Sequence, residues 1–266
     1  MAFQVSGATG FLGSSVEDGV ARVTIDRPDR KNAMTQAMWR ELAALFDSIS
    51  ADPAIRVAVI AGGGGDFCAG AAIGEFDTVR GEPGSARAYE ADNSAAWAAI
   101  RRCRAPTIAE IRGICFGGGF GIAAACDLRI AAADARFSIP AAKLGLAYPV
   151  DAMPDIVDAV GPQMARYMAF SAGRLDAAAA LAAGFLLEVV AEDALAPRVG
   201  ELSRTIAANA PLSIQASKAS IRAALSGDAA DALLASELGD RTFASADYAE
   251  GRRAFREKRA ARFSGA

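Results

Sequence analysis

The sequence predicts an α/β fold of stacked parallel strand–helix units followed by a helical region. Three observations carry this: an alternating strand pattern at Val20–Ile25, a continuous apolar run at 57–61, and apolar residues at helical spacing between them. Val20 to Ile25 alternates and stops at Arg27-Pro28, as a half-buried strand halted by proline does. Met34, Met38, Leu42, Leu45 or Phe46, and Ile49 recur at three- and four-residue steps, giving an amphipathic helix that ends near Asp52-Pro53. Val57-Ala58-Val59-Ile60-Ala61 lacks polar alternation, so it reads as a strand covered on both faces. Thr107 to Ile111 and Leu128 to Ala131 read as further short strands with alanine-rich helices between them. Beyond about Ala152 the pattern is helical except at Leu187 to Val190, and three helices follow from Pro211. The expected division is a flexible leader over 1–15, an α/β core over 16–200 and a helical region over 201–266, with a mobile loop at 81–85.

The 266 residues, 53% of them apolar, suffice to bury a full core. With 28 basic against 31 acidic residues, no summed positive field exists to attract nucleic acid. The first residues lack a basic stretch followed by a long apolar one, and no run is long enough to span a bilayer. The expectation is therefore a cytoplasmic protein without a membrane partner. Four cysteines without CxxC spacing argue against a zinc site and a disulfide framework, and are read as small buried hydrophobes. The absence of histidine is the most restrictive count. It excludes histidine triads and histidine metal sites, so any proton transfer must use Asp, Glu, Tyr, Lys, Cys or water.

Residues 6–13, Ser-Gly-Ala-Thr-Gly-Phe-Leu-Gly, imitate a dinucleotide-binding fingerprint, with Asp26 near the place of the ribose-binding acid. The context refutes it, because Asp18-Gly19 comes too soon after Gly13 to leave room for a packed helix. Two other glycine-bearing segments are more telling. Asp66-Phe67-Cys68-Ala69-Gly70-Ala71-Ala72 follows the strand at 57–61, and Gly117-Gly118-Gly119-Phe120-Gly121 opens an alanine-rich helix. Glycine there lets a ligand oxygen approach the backbone, and first-turn N–H groups have no intrahelical acceptor.

These segments, with Asp26-Arg27-Pro28, Lys31-Asn32-Ala33-Met34, Arg112-Gly113, Ala125-Cys126-Asp127-Leu128-Arg129 and Phe255-Arg256-Glu257-Lys258-Arg259, resemble the crotonase (enoyl-CoA hydratase/isomerase) superfamily from about Val16 to Arg259. The resemblance implies a spiral of repeated ββα units with a C-terminal helical trimerisation region, assembled as a homotrimer or dimer of trimers. It implies an acyl-CoA substrate, with coenzyme A part of that substrate and no separate cofactor or metal. It places an oxyanion hole at the N–H groups of Ala71 and Gly118, where loss of one donor costs about 2.7–4 kcal/mol. Coenzyme A contacts are implied for Lys31, Ala33, Ala69, Lys258 and Phe263, a solvated surface charge being the alternative for each lysine.

The two hydratase glutamates of that family fall here at Gly121 and Ala141, neither of which moves a proton. The segments around Tyr148, Pro211 and Tyr248 are similar to the methylmalonyl-CoA decarboxylase branch, in which a tyrosine at the place of Tyr148 faces the substrate carboxylate. The expectation is an enolate-stabilising lyase. Hydratase or isomerase action through Asp151, Glu75 or Tyr148 is the alternative, and a non-catalytic acyl-CoA-binding protein is the third reading. Tyr148 also reads as a core aromatic, and Asp151 as a helix N-cap, a general base or a nucleophile. Glu75 and Asp77 are loop carboxylates near the first glycine segment. Glu110 and Arg112 share a strand face as an ion pair, and Asp127 is structural.

Overall fold

In a computed structural model the described residues are 3–6, 8–76 and 81–266. Among the described residues ten strands form two sheets. The larger has the order β1 (Phe3–Ser6), β2 (Leu12–Glu17), β3 (Val20–Ile25), β4 (Val57–Gly62), β5 (Thr107–Ile111), β7 (Leu128–Ala132), β10 (Glu188–Val190). It is parallel from β3 onward, with Ile25 beside Gly62 and Ile60 beside Ala109. The smaller sheet joins β6 (Ile114–Phe116), β8 (Arg136–Ser138) and β9 (Arg174–Asp176).

The helices are α1 (Gln36–Ala51), α2 (Pro83–Arg102), α3 (Gly118–Ala125), α4 (Met153–Ser171), α5 (Ala177–Ala182), α6 (Glu192–Ala207), α7 (Pro211–Ser226), α8 (Ala229–Phe243) and α9 (Ala246–Glu257). Thr35 caps α1 by accepting from Met38 N–H, and Met38, Trp39, Leu42, Phe46 and Ile49 bury its apolar stripe. Along β4, Ala58 and Ile60 face the main core with Trp39, Trp97 and Phe120, whereas Val57 and Val59 face Leu195 and Val199 of α6. Burial on both faces is why this strand carries no polar alternation.

One strand in each sheet followed by a helix makes one turn of a spiral: β5, β6, α3, then β7, β8, α4. The turn before has β4 in the large sheet and, in place of a full second strand, a single parallel bridge from Cys68 to Cys115 of β6. This is the expected crotonase-like α/β architecture with a helical C-terminal region.

Three expectations change. The segment taken as a flexible leader holds β1 and β2, and β2 pairs along its length with β3, from Leu12 opposite Ile25 to Glu17 opposite Val20. The glycine-rich stretch is the connection between these antiparallel strands; no helix follows Gly13, and Gly7 lies outside the described residues. At 81–85 the chain is already entering α2 at Pro83, where Ser85 Oγ accepts from Glu82 N–H at 3.4 Å. The boundary drawn at residue 200 falls inside α6, whose Leu195 and Val199 pack on the large sheet.

The C-terminal helices leave large apolar side chains exposed, among them Leu225, Leu233, Phe243 and Phe255. After α9 the chain folds back: Asp247 accepts from Ser264 N–H (2.7 Å) and Gly265 N–H (2.9 Å), and Arg56 donates to Phe263 O (2.9 Å). No helix of the described residues is long and apolar enough to cross a membrane.

Candidate active site

The two glycine-bearing segments meet because they occupy matched places in successive turns of the spiral. Residues 67 and 68 are zipped to the second turn: Phe67 N–H donates to Arg112 O (2.8 Å), Cys68 N–H to Ile114 O (2.9 Å), and Phe116 N–H to Cys68 O (2.9 Å). Ala71 and Gly118 each lie three residues beyond the bridged pair, 68 to 71 and 115 to 118. Met34 N–H donates to Gly70 O (2.7 Å) and Ala72 N–H to Met34 O (2.8 Å). That parallel bridge brackets Ala71 and turns its own N–H away from Met34.

Gly117 precedes α3 with φ 50° and ψ −118°, and Gly118 is the first helical residue. Neither Ala71 N–H nor Gly118 N–H has a hydrogen-bond acceptor among the described residues. The two backbones touch: a Cβ on Gly70 would stand 2.9 Å from the Gly118 nitrogen and 2.8 Å from Phe116 O, and Gly70 has φ +94°. Only glycine permits that approach.

An aromatic cluster surrounds this point. Trp39 and Trp97 meet edge to face at 5.8 Å, and Trp97 stacks on Tyr148 at 5.7 Å with 12° between planes. Trp97 Nε1 donates to Gly118 O (3.3 Å) and Tyr148 Oη to Gly117 O (2.8 Å). Trp39 Nε1 donates to Tyr89 Oη (3.1 Å), which donates to Met34 O (3.2 Å). Burial pushes the Tyr148 phenol well above its ordinary range, so the hydroxyl keeps its proton at neutral pH.

The space above residue 121 is taken. A Cβ there would lie 2.6 Å from Tyr148 Oη and 2.7 Å from Trp97 Cε2. Ala141 sits in a 3₁₀ turn, Pro140–Leu144. Arg101 on α2 pairs with Asp155 on α4, tying the helix that carries Trp97 to the one that follows Tyr148. Burial raises the Asp155 carboxyl, and Arg101 opposes that.

The remaining candidates separate by their partners. Asp151 is exposed in a 3₁₀ turn, Val150–Ala152, and makes no hydrogen bond or ion pair among the described residues. It does not cap α4, whose N-cap is Ala152 without a side-chain bond, because that turn runs straight into the helix. Glu75 accepts from Gln36 N–H at the start of α1 (3.3 Å), and Asp77 lies outside the described residues. Glu110 is buried between Arg22 (2.7 Å) and Arg112 (3.0 Å), the structural ion pair that was expected. Asp127 accepts from Thr107 N–H (2.7 Å) and Lys218 Nζ (2.7 Å), again a structural role.

Among the residues implied for coenzyme A, Lys31 O accepts from Ala69 N–H (2.9 Å), which ties Lys31 to the first glycine segment, and Ala33 O accepts from Arg27 Nη1 (3.1 Å). Lys31 Nζ is exposed, 3.8 Å from Asp66 Oδ2. Lys258 is an exposed left-handed residue ending α9. Phe263 lines a separate open groove of about 590 Å³ with Phe243, Tyr248 and Phe255. That groove shares no lining residue with Lys31, Ala33 or Ala69.

The four cysteines are free and buried, and burial pushes Cys68 and Cys126 up to about 12. No cluster of metal-binding side chains occurs among the described residues.

Sequence reasoning missed Trp97 and Asn93, and read Gly117 only as part of the glycine run that opens α3. Tyr89, Asn93 and Trp97 recur every fourth residue on the buried face of α2, a ladder that spacing alone would have revealed. Asn93 is 4% exposed, and its Oδ1 has no partner among the described residues. Asn32 was quoted only as part of a pattern, yet it clamps the loop: Nδ2 donates to Gly63 O (2.9 Å) and Asp66 O (2.6 Å), and Oδ1 accepts from Arg27 N–H (2.8 Å).

The family model described as Enoyl-CoA hydratase/isomerase matches residues 15–266. A probable enoyl-CoA hydratase of Mycobacterium leprae is 32% identical over 251 residues, 93% of this chain and 96% of that protein. A mitochondrial Delta(3,5)-Delta(2,4)-dienoyl-CoA isomerase of Mus musculus is 32% identical over 216 residues, 77% of this chain and 66% of that protein. The crystal structure of an enoyl-CoA hydratase/carnithine racemase from Magnetospirillum magneticum superimposes with a TM-score of 0.91 at 35% identity, covering 99% of this chain and 98% of that one. These names are those of hydratases, an isomerase and a racemase, so the decarboxylase likeness rests on its own short segments alone. With a family match over nearly its whole length and the spiral that goes with it, the chain belongs to the enoyl-CoA hydratase/isomerase family of the crotonase superfamily, a family of acyl-CoA enzymes.

Proposed function

We propose that the protein is a hydratase- or isomerase-type enzyme of enoyl-CoA thioesters that polarises the thioester carbonyl with the N–H groups of Ala71 and Gly118. The observation that carries this is the pair of acceptor-free amides, on backbones in contact, at matched places of adjacent spiral turns. Two such donors lower the energy of the enolate that forms when a nucleophile adds to, or a proton leaves, the conjugated acyl group.

The proton must be moved without the two glutamates. Glu75 is held at the start of α1, and Tyr148 has its single proton engaged on Gly117 O. Among the described candidates Asp151 is the carboxylate left uncommitted, and it serves as the acid–base group in this reading.

Decarboxylation of a malonyl-type thioester is the second reading, favoured by the absence of a carboxylate at positions 121 and 141. Loss of CO₂ generates the enolate without a base. Incubation with crotonyl-CoA, a 3-enoyl-CoA and methylmalonyl-CoA separates the cases. Loss of the conjugated enoyl absorbance, or its appearance from the 3-enoyl isomer, supports the first reading. Release of CO₂ supports the second, and binding without turnover of any of the three refutes both. The exposed apolar side chains of α7 to α9 fit a homotrimer or a dimer of trimers, which sedimentation would measure.

A further inference from the structure

We propose that Tyr148 is a positioning residue that acts through the peptide it touches: its hydroxyl holds and polarises the Gly117–Gly118 amide, whose N–H is one of the two oxyanion donors. This rests on the oxyanion reading above. The acceptor of the Tyr148 hydroxyl and the proposed donor are opposite ends of one peptide group, Gly117 C=O and Gly118 N–H.

That carbonyl accepts twice, from Tyr148 Oη at 2.8 Å and from Gly121 N–H at 3.1 Å. Bonds to a peptide oxygen draw charge toward it and make the N–H a stronger donor, by about 10–30% per bond. The peptide also needs fixing. Gly117 has φ 50° and ψ −118°, reached by glycine alone, and glycine permits rotations that would swing the N–H aside. Tyr148 opposes that rotation at one end, and Trp97 Nε1 holds the next carbonyl, Gly118 O, at 3.3 Å. The Trp97 ring, stacked on Tyr148, keeps the phenol aimed.

A phenol has one proton, and here it is directed at Gly117 O, so toward substrate the oxygen offers only acceptor capacity. Contact with a substrate carboxylate would set two acceptors against each other. The residue thus serves the donor behind the substrate.

The experiment binds cinnamoyl-CoA, whose absorption band moves to the red as its carbonyl is polarised, to the full-length protein. Both tryptophans lie in the cluster, so their fluorescence gives the affinity independently. In Tyr148→Phe, which keeps the stacked ring, the red shift falls by about half while Kd changes less than about threefold; kcat falls about fivefold to tenfold with KM little changed. Fluorotyrosine placed at 148 alone, a stronger donor, enlarges the shift. An unchanged shift in both variants overturns the proposal. If Tyr148→Phe does not fold, the fluorotyrosine protein decides by itself. A wild-type complex with no red shift removes the oxyanion reading and this inference together, a different result from a wild-type shift that ignores residue 148.

Discussion

Gly70 is packed so tightly on Gly118 that a single methyl group on the first would stand 2.9 Å from the nitrogen of the second. Gly70→Ala therefore has two effects. The φ of +94° costs about 1–3 kcal/mol of stability when a side chain is forced into it. The displaced Gly118 amide loses its aim, lowering kcat by about 10²–10³. Denaturant titration and steady-state kinetics on the same protein check both; wild-type kcat would mean that the Gly118 amide is not a donor.

A second test concerns the space above residue 121. Gly121→Ala places a carbon 2.6 Å from Tyr148 Oη and 2.7 Å from Trp97, overpacking that costs about 1–3 kcal/mol. In a Tyr148→Ala background the cost falls, since one of the two obstructing groups is gone. A double-mutant cycle measured by unfolding reads the coupling, and a coupling of zero would place Tyr148 elsewhere.

Asp151 is exposed and unpaired among the described residues, so its removal separates chemistry from folding. Asp151→Asn leaves stability within about 0.5 kcal/mol. Turnover falls about 10²–10⁴-fold if this carboxylate moves the proton. Full activity in Asp151→Asn assigns that role to another group.

The thiols set an alkaline limit. Cys68 and Cys126 are pushed up to about 12 from an ordinary value near 9 because burial disfavours the thiolate. In the folded state they keep protons that the unfolded chain releases. Their contribution to stability is therefore fully present below about pH 9 and is lost as the pH climbs toward about 12. Unfolding midpoints measured between pH 8 and 11 should decline. At pH 8 a thiol reagent should find none of the four cysteines in the native protein and all four after denaturation.

Much of the fold was legible where a segment carries its own periodicity. Val20 to Ile25, the apolar run at 57–61 and the stripe of α1 each declare their partners through burial. β2 did not, because Gly13-Ser14-Ser15 gains its order from hydrogen bonds to β3 and not from apolar alternation. The strands of the smaller sheet are three residues each, too short for any period to be counted. At the site, the glycine segments containing Ala71 and Gly118 were readable. The contact of Trp97 and Tyr148 over Gly121 was not, since it joins residues far apart in the chain and depends on volume.

Both proposed donors belong to the main chain, and this has a consequence for descent. A mutation exchanges side chains but leaves every amide in place unless it introduces proline. Catalytic acids are thus open to replacement one codon at a time, while the grip on a carbonyl oxygen passes through such changes untouched. A lineage of this architecture is free to trade one reaction for another without surrendering the part that made each of them feasible.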